Sequence, residues 1–165
     1  MKPNTVGRAR AEAPVQAVST KCGMAAGSVI LTMAGEMPIE HVMPGDRVIT
    51  RDAGAARVVN VRRQVISCEA VKILAGSLGD TRPECDVVLP QEQPVLVRDW
   101  RARALFGVAE ATVRAGALVD GEYITALGVQ EMEVIVLMFD EPHVLYVDGL
   151  EVSGHVMGQA LDVAA

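Results

Sequence analysis

No apolar run in this chain approaches the length of about 20 residues that a bilayer-crossing helix needs; even Val134-Ile-Val-Leu-Met-Phe139 falls far short. The first 20 residues carry Lys2, Arg8 and Arg10 but no continuous apolar stretch, because Asn4, Gly7, Glu12 and Pro14 interrupt them, so a secretory signal is not expected there. Cysteine is scarce and unspaced. Cys22, Cys68 and Cys85 form an odd set without CxxC spacing, and with only three histidines the chain offers no zinc pattern. A phosphate-cradling GxxxxGK[ST] loop is missing. Positive charge is also short: 15 Lys and Arg face 21 Asp and Glu, a net charge of −6 that makes general nucleic-acid binding unfavourable. These absences point to a soluble, cytoplasmic protein with no metal, no cofactor, no membrane and no nucleic acid; a protein partner stays open.

What is present favours a folded single domain. The chain has 165 residues, half of them hydrophobic and 22% charged, which excludes wholesale disorder and suits one core. Short β-branched runs recur at 28–32, 47–50, 57–65, 71–75, 86–89, 95–97, 134–139 and 144–147. Pro44-Gly45, Asp52-Ala-Gly54 and Asp148-Gly149 break them, and the last has the chemistry of a tight hairpin turn. Residues 99–108 could form a helical turn and 109–119 are ambiguous, yet neither alters the expectation of an all-β fold. Residues 1–21 read as a flexible tail, 22–152 as the domain and 153–165 as a C-terminal tail, frayed or briefly helical. Val29, Ile30, Val48, Val88, Val95, Val97, Leu137 and Leu145 are the expected core.

The segment Gly23-Met-Ala-Ala-Gly-Ser-Val-Ile-Leu-Thr32, followed by Pro44-Gly-Asp-Arg-Val-Ile-Thr50, resembles the opening of a Hint (hedgehog/intein) domain. Arg98-Asp-Trp-Arg101, Leu105-Phe-Gly107, Phe139-Asp-Glu-Pro-His143 and Tyr146-Val-Asp-Gly149 extend the resemblance to about residue 152, and the chain is similar to the stand-alone Hint-domain proteins of bacteria. The resemblance implies a compact, disk-like fold of bent antiparallel strands with pseudo-twofold symmetry. It also implies a chemistry. In the family a Cys or Ser at the first position attacks the carbonyl just upstream, and a T-x-x-H block protonates the departing amide nitrogen, because an unprotonated amide does not leave.

Aligned on Gly27-Ser28-Val29-Ile30, the nucleophile position falls on Gly23, with Cys22 one residue early. Successive side chains of an extended backbone point to opposite sides, so that shift turns the thiol away from the site. The Thr and His positions fall on Pro90 and Gln93 in Pro90-Gln-Glu-Gln-Pro94. Proline has no hydroxyl, and an amide does not deliver a proton at neutral pH. Losing a positioned acid typically costs about 10²- to 10⁴-fold in rate.

His143 stands one residue beyond a family histidine position, occupied here by Pro142. His41 reads as a surface residue, and His155 is similar in place to the penultimate His of an intein but lacks the following Asn. Asn4 and Asn60 are the only asparagines and Gln159 is not adjacent to His155, so complete splicing is not expected. Glu36, Glu40 and Asp46 read as a solvated face. Trp100 among Arg98, Asp99, Arg101 and Arg103 reads as a packed indole or a contact patch.

The expectation is a Hint-like domain whose autoprocessing has decayed into an interaction scaffold, with Cys22 and His143 as the candidate catalytic residues and Gly23, Pro90 and Gln93 as former motif positions. An active self-cleaving domain, in which Cys22 attacks the Lys21 carbonyl through a thioester, is the alternative. A peptide- or small-molecule-binding module using the former site is a third. Gly23→Cys with Pro90→Thr and Gln93→His is expected to regain nucleophile-induced cleavage.

Overall fold

A computed structural model describes residues 21–79 and 81–157. The expectations for residues 1–20 and 158–165 lie outside that range. Thirteen strands, one α-helix and two 3₁₀ turns make up the described residues. The strands are β1 Met24–Ala25, β2 Val29–Thr32, β3 Gly35–Pro38, β4 Arg47–Thr50, β5 Gly54–Arg57, β6 Asn60–Ile73 and β7 Val87–Pro90. They continue with β8 Pro94–Val97, β9 Ala111–Arg114, β10 Ile124–Phe139, β11 Val144–Val147, β12 Leu150–Ser153 and β13 His155–Val156; the helix α1 is Trp100–Phe106.

Two sheets result. One has the order β9-β8-β12-β11-β2-β4-β5, with β3 attached to β2, and the other runs β13-β10-β6-β7, with β1 attached to β10. Pairing is antiparallel except between β13 and β10. The main core lies between the sheets, where Ile30, Val48, Ile73, Leu89, Val95, Ile124, Phe139 and Leu150 are sealed from solvent.

Local chemistry explains the joins that matter for the site. Asp148 and Gly149 both adopt positive φ (53° and 82°), as a two-residue turn matching strand twist requires, and they close β11 onto β12 in the register Val147 to Leu150. The same turn is tied to β2, because Asp148 exchanges backbone and side-chain hydrogen bonds with Val29. Asp99 caps α1 by accepting from the Arg101 amide, and Gly107 ends it in the left-handed conformation (φ 74°) that a residue without Cβ enters freely.

Several expectations change. The runs read as 57–65 and 71–75 belong to one strand, β6, and 134–139 is only the last part of β10; the two pair along most of their length, with a bulge at Ala126 and Gly128. Val29 is exposed and Val88 half-buried, since each sits on the outer side of its strand, whereas the other six expected core residues are buried. The C-terminal boundary moves as well: Ser153 closes β12, and His155 and Val156 pair with Met138 and Phe139, so the sheet continues beyond residue 152.

Candidate functional site

Three elements bring the family's key positions together. β1 pairs with β10 at Val134 and Ile135 and so carries Cys22 and Gly23 against that strand. The turn between β7 and β8 presents Gln93, which is 1% exposed, and β13 delivers His155 from the other side. Gly23 N–H donates to Gln93 Oε1 at 2.8 Å. Gln93 Nε2 in turn donates to the carbonyls of Pro94 (3.0 Å) and Ser153 (3.1 Å). That network sets the amide orientation, because only the carbonyl side can accept from a backbone N–H. Gly23 and Gln93 face one another, as their motif positions imply. Pro90 ends β7, buried, and its carbonyl accepts from the Gln93 amide.

The thiol has a different partner from the expected one. Cys22 Sγ lies 3.2 Å from His155 Nε2, and both side chains are buried. His143 is engaged elsewhere: its Nδ1 sits 2.8 Å from Asp52 Oδ2, and its ring meets Phe139 edge-on. The candidate pair Cys22 and His143 is therefore not assembled by the fold, and His155 takes the place beside the thiol. Sequence spacing gave little access to this contact, because it depends on a two-residue parallel pairing of β13 with β10. The available signal was the likeness in place of His155 to the penultimate histidine of an intein.

Burial sets the protonation states. Desolvation, aided by the nearby Glu92 charge, pushes the Cys22 thiol from an ordinary 9.0 up to about 12. Desolvation and then the charge of Arg62 push His155 below the ordinary histidine value. A neutral thiol facing a neutral imidazole results. The cavity enclosed by Gly23, Gln93, Ser153 and His155 holds about 20 Å³, room for about one water and for no organic ligand.

The raised thiol has a consequence for stability. The unfolded chain loses its Cys22 proton near the ordinary value while the folded chain keeps it up to about 12, so stability is intact below pH 9 and falls as pH rises through that window. By pH 10 the loss from this group should be about 1.4 kcal/mol, from one unit of separation. Urea titrations between pH 8 and pH 11 should show Cys22→Ala with a flatter decline than the parent; parallel declines would remove the thiol as the cause.

The remaining candidates are structural. Glu40 accepts from the Gly27 amide at 2.7 Å, which holds its carboxyl below the ordinary value, and Asp46 accepts from the Met43 amide. His41 is exposed on a 3₁₀ turn. Cys68 is buried against Met132, and Cys85 is exposed. Among the described residues no group of His, Cys, Asp and Glu converges as a metal site, and no helix is long and apolar enough to cross a membrane.

A family model for the Hint domain matches residues 22–159. Solved structures show the same fold. An intein-like domain from Clostridium thermocellum is 20% identical at a TM-score of 0.54, over 81% of this chain and 98% of that one. The MchDnaB-1 intein is 17% identical at 0.53 (80% and 98% covered), and a DnaB intein from Synechocystis sp. PCC 6803 is 14% identical at 0.52 (80% and 97%). No curated protein matches.

Proposed function

The chain belongs to the Hint-domain family, and from that premise we propose that it is a Hint domain whose self-processing is blocked at its first step and which serves as an interaction scaffold in the cytoplasm. The observation that carries this reading is the Gly23 N–H donating to Gln93 Oε1 at 2.8 Å. Acyl transfer at that peptide requires a proton delivered to the nitrogen. Here the group facing the nitrogen is an acceptor, and its own donors are both committed to carbonyls. Gly23 itself has no nucleophile to offer.

The alternative, attack of Cys22 on the Lys21 carbonyl, draws on the 3.2 Å contact between Cys22 and His155. A neutral imidazole is the right form to accept a thiol proton. The resulting thiolate–imidazolium pair would have to form in a place that burial makes unfavourable, and with the thiol near 12 only about one molecule in 10⁵ is a thiolate at pH 7. The leaving Cys22 nitrogen would also need an acid, a role that a histidine with a lowered pKa fills poorly at neutral pH.

Intact-mass spectrometry after incubation with dithiothreitol or hydroxylamine, both of which intercept a thioester, is the test. One full-length species is expected over days. A fragment beginning at Cys22, absent from the Cys22→Ala variant, would replace this reading with the self-cleaving one.

A further inference from the structure

Trp100 is the only tryptophan in a chain with five aromatic residues, yet it is 67% exposed. Tyr123, half-exposed, lines a cleft of about 470 Å³ together with Trp100, Arg101, Asp120 and Glu122. Leaving so large an apolar ring in water is unfavourable unless something covers it, and exposed Trp and Tyr are the side chains most enriched where binding energy concentrates.

The cleft is held in shape from within. Arg101, 5% exposed, bonds the Ser77 carbonyl at 2.7 Å and Asp99 Oδ2 at 2.6 Å, and approaches Asp120 Oδ2 at 3.6 Å. Its guanidinium lies 4.8 Å from the Trp100 ring centroid, which fixes the indole by a cation–π contact. Asp120 is equally constrained: its Oδ1 accepts from the amides of Glu122, Tyr123 and Ile124 at 2.8, 2.9 and 3.0 Å. Burial works against its charge, but these amides and Arg101 hold its carboxyl below the ordinary value, so it is ionised at neutral pH. Glu122 is exposed and has no ion pair among the described residues. Within the cleft Asp120 and Glu122 stand against Arg101, two negative charges to one positive, and Asp99, which lines the neighbouring cleft, offsets the Arg101 guanidinium as its ion-pair partner.

We propose that this cleft docks a basic side chain, arginine in preference to lysine, presented by a partner polypeptide. The proposal rests on the scaffold reading and names its surface. Two aromatic residues and a carboxylate, Glu122, with no ion pair among the described residues select a cation and disfavour an anion. A planar guanidinium can stack on a ring while bonding Glu122 in bidentate fashion, which an ammonium cannot. A second cleft that Trp100 also lines holds Arg98, Asp99 and Arg103, two positive charges to one negative, so a cation is favoured in the cleft that holds Tyr123 and Glu122. Leu105 and Phe106, exposed on the same helix, offer apolar contact to the flanking residues of the partner.

Because Trp100 is unique, its fluorescence reports on the cleft directly. The full-length protein is titrated with capped leucine-flanked pentapeptides that differ only in a central arginine, lysine, citrulline or glutamate. A saturable change is expected with arginine, a weaker one with lysine, and none with citrulline or glutamate. Glu122→Gln, an exposed substitution with the fold verified by circular dichroism, should weaken the arginine peptide about fivefold, as loss of one exposed charge pair allows. No saturable response to arginine, an equal response to citrulline, or an unchanged affinity in Glu122→Gln overturns the proposal. Mass measurement of the same samples keeps the two readings apart. Cleavage under dithiothreitol removes the scaffold reading and leaves the titration interpretable, whereas intact protein with a silent Trp100 removes the docking site alone.

Discussion

Glu151→Gln should lower the free energy of unfolding by about 3 to 5 kcal/mol, the range for breaking a buried ion pair from one side. Glu151 lies on β12 between two core residues and is 2% exposed. Its Oε1 accepts from Arg82 Nη1 at 2.7 Å and Arg98 Nε at 2.8 Å, and its Oε2 lies 3.2 Å from both Arg98 Nη2 and Arg51 Nε. The hydrogen bonds to Glu151 hold the Arg98 guanidinium above its ordinary value, a sign that this carboxylate stabilises the charge beside it. Replacing the carboxylate by an isosteric amide keeps the volume and leaves three guanidinium groups converging without their counter-charge. Glu110 remains bonded to Arg51 alone. The arginines are 20 to 35% exposed, so solvent screens part of their repulsion and the lower half of the range is expected at high salt. Urea titration at low and high ionic strength measures it. A cost under about 1 kcal/mol at both would mean that desolvation of the carboxylate cancels its pairing.

Glu151 also marks where the sequence stops being readable. The β-rich class and the Asp148-Gly149 turn are legible because each is written in adjacent residues, and the facing positions Gly23 and Gln93 follow from what the family resemblance implies. Glu151 is not, since its partners come from positions 51, 82 and 98 and only the folded sheet brings them together. The long pairing of β6 with β10 escapes for another reason. Along 125–131 every β10 residue is exposed or half-buried, so neither face is a core face and the period-two signal disappears. His155 illustrates the third limit: its environment is set by two residues of parallel pairing at a chain segment that carries no pattern of its own.

Placing a thiol at the first motif position by Gly23→Cys should destabilise the fold by about 2 to 6 kcal/mol and produce no cleavage, even combined with Pro90→Thr and Gln93→His. Gly23 holds φ at +124°, a region that residues with a Cβ enter only under strain of about 1 to 3 kcal/mol. Space is short too. A Cβ there would lie 3.0 Å from the Ile135 carbonyl oxygen and from Val136 Cγ2, and 3.3 Å from Val134 Cβ. The oxygen belongs to the backbone of β10 and cannot rotate away as a side chain would, so overpacking adds about 1 to 3 kcal/mol. We therefore expect the three substitutions to leave the protein intact, because the backbone at position 23 has a conformation that suits glycine and added side chains do not change it. Gly23→Ala separates the causes, since it adds the Cβ without the sulfur and should account for most of the loss in a urea titration. A triple variant that unfolds at the parental urea concentration and releases a fragment under hydroxylamine would overturn the argument and show that the first position retains the freedom its chemistry needs.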